Sequence, residues 1–147
     1  MFKSSSIILV FFCVFTYSQD ESIDELKQKY VEMILQCSDG VPVSGDDMEM
    51  LRNQQMPDKE YMKCLFACVY RKSGMMNDNG ELWIEGVNEM SRKYFSNDPT
   101  TLQKSEEFTQ ACKSVNNVPV SDGNKGCERA ALIFKCTVEK APDFNLV

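Results

Sequence analysis

The chain has 147 residues, with 16 basic and 22 acidic side chains, no histidine and a formal net charge of −6. This acidic balance argues against a partner that is nucleic acid or an anionic membrane surface. The absence of histidine excludes a His-centred catalytic triad, the usual His-containing zinc sites and a His-based pH switch, so neither a metal nor another cofactor is expected.

The N-terminus has the pattern of a secretory signal peptide. Lys3 precedes the apolar run 7–15, and small residues follow that run. The run is about half as long as the roughly 20 apolar residues that a membrane-spanning helix needs, so stable membrane insertion is not expected. We predict cleavage after Ser18, which makes residues 1–18 the signal peptide and residues 19–147 a single secreted, extracellular domain.

The predicted cleavage leaves an even set of cysteines. Of the seven cysteines, Cys13 lies in the signal peptide, and the six that remain can pair completely. Lys3 is the only charged residue removed, so the mature chain keeps 15 basic and 22 acidic residues and a net charge of about −7. Six cysteines behind an export signal indicate a disulfide framework rather than a metal or redox site.

Helical periodicity dominates the mature chain, and alternating strand patterns are almost absent. The clearest start signal is Asp98-Pro99, a helix cap followed by proline at the first helical position. Gly86 either weakens its helix or lets another element approach closely. The six predicted helices cover residues 24–36, 46–55, a stretch opened by Pro57-Asp58, 82–95, 98 to about 115, and about 125–140.

The six mature cysteines have an informative spacing, C-x26-C-x3-C-x43-C-x14-C-x8-C. Cys64 and Cys68 stand one turn apart on one helix face, so that helix can be joined to two other parts of the chain. Such a framework suits a cage that holds a ligand. The spacing by itself leaves 15 pairings open.

This spacing, on about six helices behind a signal peptide, resembles the insect odorant-binding protein family (pheromone-binding and general odorant-binding proteins). The resemblance covers essentially the whole mature chain and implies an all-α fold of about six helices that enclose an apolar cavity. The 14 residues between Cys112 and Cys127 are at the long end for the family, so the resemblance implies nothing in detail about the loop 116–125. The pairing that the resemblance implies is Cys37–Cys68, Cys64–Cys127 and Cys112–Cys136.

The resemblance also implies a ligand site. By offset from the cysteines, eleven positions of this chain line the cavity, and ten of them are apolar or aromatic, as a pocket for a small apolar ligand requires. Hydroxyl groups among them can orient a carbonyl or an alcohol. Taken singly, each apolar residue is better explained as part of the core of an ordinary helical protein. The eleven are Tyr30, Leu51, Phe66, Tyr70, Met75, Met76, Leu82, Val87, Met90, Ile133 and Thr137.

The C-terminal tail, residues 141–147, forms a separate prediction. Phe144, Leu146 and Val147 are too apolar for a freely solvated end and too few for a helix. We predict that this tail, with Phe144, forms a wall of the pocket mouth. Any pH response would use carboxylates such as Asp143.

The resemblance implies a secreted carrier that binds small hydrophobic molecules, such as odorants or pheromones, reversibly and without catalysis. The resemblance is compatible with a membrane chemoreceptor as a second partner. It is also compatible with either a monomer or a homodimer in solution. Two alternatives remain open. An enzyme using carboxylates such as Glu106 and Glu107 is disfavoured because helix neighbours point in different directions. A helical lipid-interacting or signalling protein of the saposin type expects paired cysteines near its start, where Cys37 stands alone.

Overall fold

The computed structural model describes residues 21–144, and this part of the chain confirms the predicted all-α fold. Within these residues there is no β-strand, only an isolated bridge between Met76 and Leu82. The predicted signal peptide and residues 145–147 lie outside the described range. The α-helices are α1 (Glu21–Ser38), α2 (Gly45–Arg52), α3 (Glu60–Lys72), α4 (Ile84–Tyr94), α5 (Pro99–Ala111) and α6 (Cys127–Lys140), with short 3-10 helices at Lys113–Asn117, Gly123–Lys125 and Ala141–Phe144.

Helix α5 begins as predicted and ends earlier than predicted. The side chain of Asp98 accepts a hydrogen bond from the backbone N–H of Thr101 at 3.0 Å, and Pro99 is the first helical residue. The helix ends at Ala111 rather than near Val115, and the chain continues as a 3-10 turn. This tighter turn buries Val115, whose carbonyl accepts a hydrogen bond from the buried Arg129.

A buried carboxylate fixes the start of α2. Asp47 accepts a hydrogen bond from the backbone N–H of Ser44 at 3.0 Å, and the Ser44 hydroxyl accepts one from Asp47 N at 3.1 Å, which forms a capping box. Lys59 Nζ at 2.6 Å and Tyr61 Oη at 2.8 Å also donate to Asp47. The Lys59 ammonium, with these other donors, holds the pKa of Asp47 well below its usual range. The network therefore joins α2 to the start of α3.

Helix α3 is the centre of the disulfide framework. It is joined to both α1 and α6, and a third bond joins the end of α5 to α6. Helices α3 and α6 also pack through Phe66 and Phe134, whose rings meet edge to face with centroids 5.1 Å apart. The bonds are Cys37–Cys68, Cys64–Cys127 and Cys112–Cys136, with Cα–Cα distances of 5.8, 4.4 and 5.8 Å, which is the pairing that the family resemblance implies.

The buried apolar side chains form a large main cluster and a small second one. Helices α1, α2, α3, α4 and α6 all contribute to the main cluster. The second cluster contains Phe108, Ala141 and Phe144. Helix α5 is held against α4 by a buried hydrogen bond between the hydroxyls of Ser91 and Ser105 at 2.7 Å. The main cluster therefore includes α1, α3 and α6, which the disulfides connect, together with α2 and α4.

Gly86 on α4 allows the backbone of Gly74 to approach this helix closely, which is the second of the two roles predicted for Gly86. A Cβ atom added there would lie 2.1 Å from the carbonyl oxygen of Gly74 and 2.4 Å from Cε3 of Trp83. Because the first of these atoms belongs to the backbone, a side chain would force α4 away from the turn after α3.

We expect Gly86→Ala to lower the free energy of unfolding by about 1–3 kcal/mol, because overpacking outweighs the higher helix propensity of alanine. Urea unfolding measures the change. Gly45→Ala is the matched control, since an added Cβ on this first residue of α2 meets nothing within 4 Å. Equal stability of the two variants would contradict the close-approach argument.

Candidate functional site

An open cleft of about 400 Å³ lies between α1, the end of α3 and α4. Its volume falls within the range of roughly 300–1,000 Å³ that is usual for small-molecule sites. Basic side chains from all three helices also line it, and they are described below. The apolar and aromatic lining consists of Leu26, Tyr30, Met33, Trp83, Met90 and Tyr94.

Tyr30 lies at the floor of this cleft and is fully buried. Its single hydroxyl hydrogen is shared between two acceptors, the thioether sulfurs of Met75 at 3.5 Å and Met90 at 3.6 Å from the oxygen. Burial raises the pKa of Tyr30 to about 12, with a hydrogen bond to Ser73 acting in the opposite direction, so the phenol is a neutral donor at physiological pH. Thioethers are weak acceptors on flexible side chains, so a ligand oxygen can replace them.

The structure places two of the twelve predicted ligand-binding residues in the cleft and most of the others in the buried main cluster. Tyr30 and Met90 line the cleft, and Met75 and Met90 are partly buried against the main cluster. Tyr30 therefore belongs both to the cleft and to the cluster beneath it. The predicted residues that belong to the main cluster are Tyr30, Leu51, Phe66, Tyr70, Met76, Leu82, Val87 and Ile133.

Two predicted residues differ from this group. The Thr137 hydroxyl is buried and donates to the carbonyl of Phe134 at 2.8 Å within α6, so it is already engaged. Phe144 is not brought together with the other predicted residues, because its ring meets Phe108 edge to face at 5.5 Å in the second cluster. The other two apolar residues of the predicted tail wall lie outside the described range.

Sequence reasoning missed the residues that support the site. Asn116, in the loop set aside above, accepts from Leu82 N at 2.8 Å and donates to Leu82 O at 2.9 Å, which fixes Leu82 in the core. The basic residues of the cleft were also missed. The sequence contains no signal for Lys29 and Lys93, because neighbours on a helix, such as Lys29 and Tyr30, point in different directions.

A second cleft, of about 450 Å³, lies between the segment before α3 and helix α6. Met56, Leu132 and Val138 provide apolar surface there. Its charged residues are paired with each other, Lys63 with Asp58 at 2.7 Å and Lys135 with Glu139 at 4.0 Å. None of the twelve predicted ligand-binding residues lines it, so the first cleft is the candidate site.

The other groups considered within residues 21–144 are a cluster that could bind a metal ion and a pair of carboxylates. Glu60, Cys64 and Cys127 lie close enough to share a metal ion, but both sulfurs are joined in a disulfide and provide no thiolate. Glu106 and Glu107 are exposed on α5. None of the helices described is long and apolar enough to cross a membrane.

The helical framework, its disulfides and the tyrosine-floored cleft define a small disulfide-linked ligand-binding protein. A model of the PBP/GOBP family matches residues 19–140, and the chain therefore belongs to this family. Its predicted membership among the insect odorant-binding proteins is confirmed.

Curated relatives and solved structures agree with this assignment. General odorant-binding protein 28a of Drosophila melanogaster is 28% identical over 147 residues, which cover 99% of both chains. General odorant-binding protein 19d of the same species is 23% identical over 115 residues, covering 78% of this chain and 73% of the relative.

The solved structure of the Drosophila melanogaster odorant-binding protein dmelOBP28a has a TM-score of 0.61 and 27% identity, and the match covers 84% of this chain and 98% of that one. A pheromone-binding protein from the cockroach Leucophaea maderae, solved with the fluorescent reporter ANS, has a TM-score of 0.56 and 18% identity over 76% of this chain and 92% of that one. At this identity the second match supports the fold alone.

Proposed function

We propose that this protein is a carrier that binds small hydrophobic molecules reversibly and transports them through aqueous fluid. The observation that carries the proposal is Tyr30, a neutral buried donor held by two methionine sulfurs at the floor of an apolar cleft. Membership in the PBP/GOBP family supports a carrier rather than an enzyme. Burial of the apolar ligand provides most of the affinity, and the tyrosine hydroxyl biases the choice among ligands.

The proposed ligand space extends from the cleft into the main cluster. Met75 and Met90 are partly buried against the main cluster, Met90 also lines the cleft, and each has three rotatable bonds, so their movement would admit a ligand. Phe66 and Ile133 then form the deeper walls. The predicted contact residues Leu51, Tyr70, Met76, Leu82 and Val87 are proposed to surround the same space, and Phe144 remains a prediction for the tail.

Secretion is part of the proposal. The family match covers residues 19–140, which supports cleavage near Ser18 and one domain over most of the proposed range 19–147. Three disulfides support an oxidising, extracellular location. A membrane chemoreceptor as the recipient of the ligand, and a monomer or homodimer in solution, remain predictions.

The test uses oxidised protein of residues 19–147 with its three disulfides verified by mass spectrometry. Titration with the uncharged fluorescent probe N-phenyl-1-naphthylamine is expected to give saturable binding with a Kd on the order of micromolar, the middle of the affinity scale. Alcohols, aldehydes and esters should displace the probe with different affinities. Absence of saturable binding would overturn the proposal.

Tyr30→Phe isolates the hydroxyl. We expect it to weaken the binding of aldehydes and ketones by about 3-fold to 10-fold, the loss of one hydrogen bond of about 1 kcal/mol. Hydrocarbons of the same length should bind both proteins equally, which makes them the internal control. If aldehydes and hydrocarbons lost affinity by the same factor, Tyr30 would act through packing alone.

A further inference from the structure

Lysines from three different helices converge on the candidate cleft. Lys29 of α1, Lys72 of α3 and Lys93 of α4 all line it, and Glu89 is the one carboxylate among the described lining residues. Arg71 also lines the cleft, but its guanidinium donates to the backbone carbonyls of the 3-10 turn 123–125. The rim is therefore locally positive on a chain whose net charge is −6.

These lysines outnumber the carboxylates around them: Glu89 lines the same cleft, and Glu32 lines an adjoining one together with Lys29 and Lys72. Within residues 21–144 the three form no ion pair, and the one contact of their ammonium groups is that of Lys93 with the Tyr94 ring, 5.5 Å from its centroid. That contact leaves the positive charge of Lys93 in place. By contrast, the lysines that pair with carboxylates at 2.6–3.1 Å are Lys59, Lys63 and Lys125.

The apolar surface of the cleft lies directly beside these charges. Leu26, Met33 and Met90 provide an aliphatic and thioether lining, and Trp83 lies at the rim with 41% of its surface exposed. A neutral ligand would satisfy this lining and leave the lysines without a partner. A ligand with an apolar chain and an anionic end would use both features.

We propose that the cleft selects amphiphiles made of one alkyl chain and a carboxylate, with the carboxylate at the lysine rim and the chain against Tyr30 and Met90. This inference rests on the proposed carrier function and specifies the ligand class of the same site. Each exposed lysine contributes little alone, but three converging charges should favour a carboxylate over the matching alcohol by about 5-fold to 10-fold at low salt. The preference should shrink at high salt, since the rim is open to solvent.

The test compares dodecanoate with dodecanol as displacers of N-phenyl-1-naphthylamine, at low and at high salt. The variant Lys29→Gln/Lys72→Gln removes two rim charges. The matched control is Lys104→Gln/Lys113→Gln, two exposed lysines outside the cleft lining. The dodecanol affinity reports in each protein whether the apolar site is intact.

The expected result is tighter binding of dodecanoate in the parent and control proteins, and a clearly smaller preference in the rim variant, which keeps only Lys93 of the three lysines. The inference is overturned if dodecanol binds as well as dodecanoate in the parent protein, or if both variants keep the same preference. Binding of dodecanol without a preference would leave the carrier function standing. Failure of both compounds to displace the probe would overturn the carrier function as well.

Discussion

Replacing both Cys64 and Cys127 with alanine is expected to lower the free energy of unfolding by about 4 kcal/mol. Their disulfide spans a sequence separation of 63, against 31 and 24 for the other two. In the chain-entropy description, a longer closed loop removes more conformational freedom from the unfolded chain. The same bond holds α3 against α6, so its loss also weakens the packing of Phe66 on Phe134.

The matched control is Cys112→Ala/Cys136→Ala, which opens the shortest of the three loops and should cost about 3.5 kcal/mol. Urea unfolding of the oxidised proteins can be followed by helical circular dichroism and by the fluorescence of Trp83, the single tryptophan. A smaller loss for the Cys64 and Cys127 variant than for its control would contradict the loop-entropy argument.

The fold was predictable because its determinants are local or covalent. Asp98-Pro99 marks the start of α5 through a cap and a fixed backbone angle, neither of which depends on the rest of the chain. The three-residue gap between Cys64 and Cys68 places two bonds on one helix face. The early end of α5 escaped prediction because it depends on burying Val115 and on Arg129, which comes from a distant helix.

The candidate site was only partly predictable. Offsets from the cysteines locate apolar positions such as Tyr30 and Met90, since helical periodicity already marks them as buried. The basic rim depends on how α1, α3 and α4 are placed side by side. Isolated lysines such as Lys29 and Lys72 look like ordinary solvated residues in sequence. Asn116 was missed for the same reason, because its partner Leu82 is 34 positions away.

The main cluster has two roles in the proposed carrier, and these roles compete. As a core it must be packed densely enough to hold α1, α3 and α6 together. As a ligand space it must admit an apolar molecule when the methionines at its edge move. The disulfides reduce the need for dense packing, because they stabilise the helical framework without occupying the space that a ligand would use. A core residue in the ligand space should therefore respond to ligand differently from one outside it.

Phe66→Ala is expected to lower the free energy of unfolding by about 3–5 kcal/mol, because it removes a fully buried ring and leaves a cavity. The ring also loses its edge-to-face contacts with Phe134 and with Tyr70, whose centroid is 6.0 Å away. Urea unfolding with and without dodecanol measures both the loss and its recovery. A ligand that binds only the folded state raises its stability by RT ln(1 + L/Kd), where L is the free ligand concentration, so tighter binding at the same concentration gives a larger recovery.

Phe108→Ala is the matched control, since Phe108 is equally buried but packs with Ala141 and Phe144 in the second cluster. Both variants should lose stability without ligand. Dodecanol should then restore more stability to Phe66→Ala than to Phe108→Ala, because only the first cavity joins the proposed ligand space. Equal recovery in both variants would mean that the ligand does not contact Phe66 and binds only in the cleft above Tyr30.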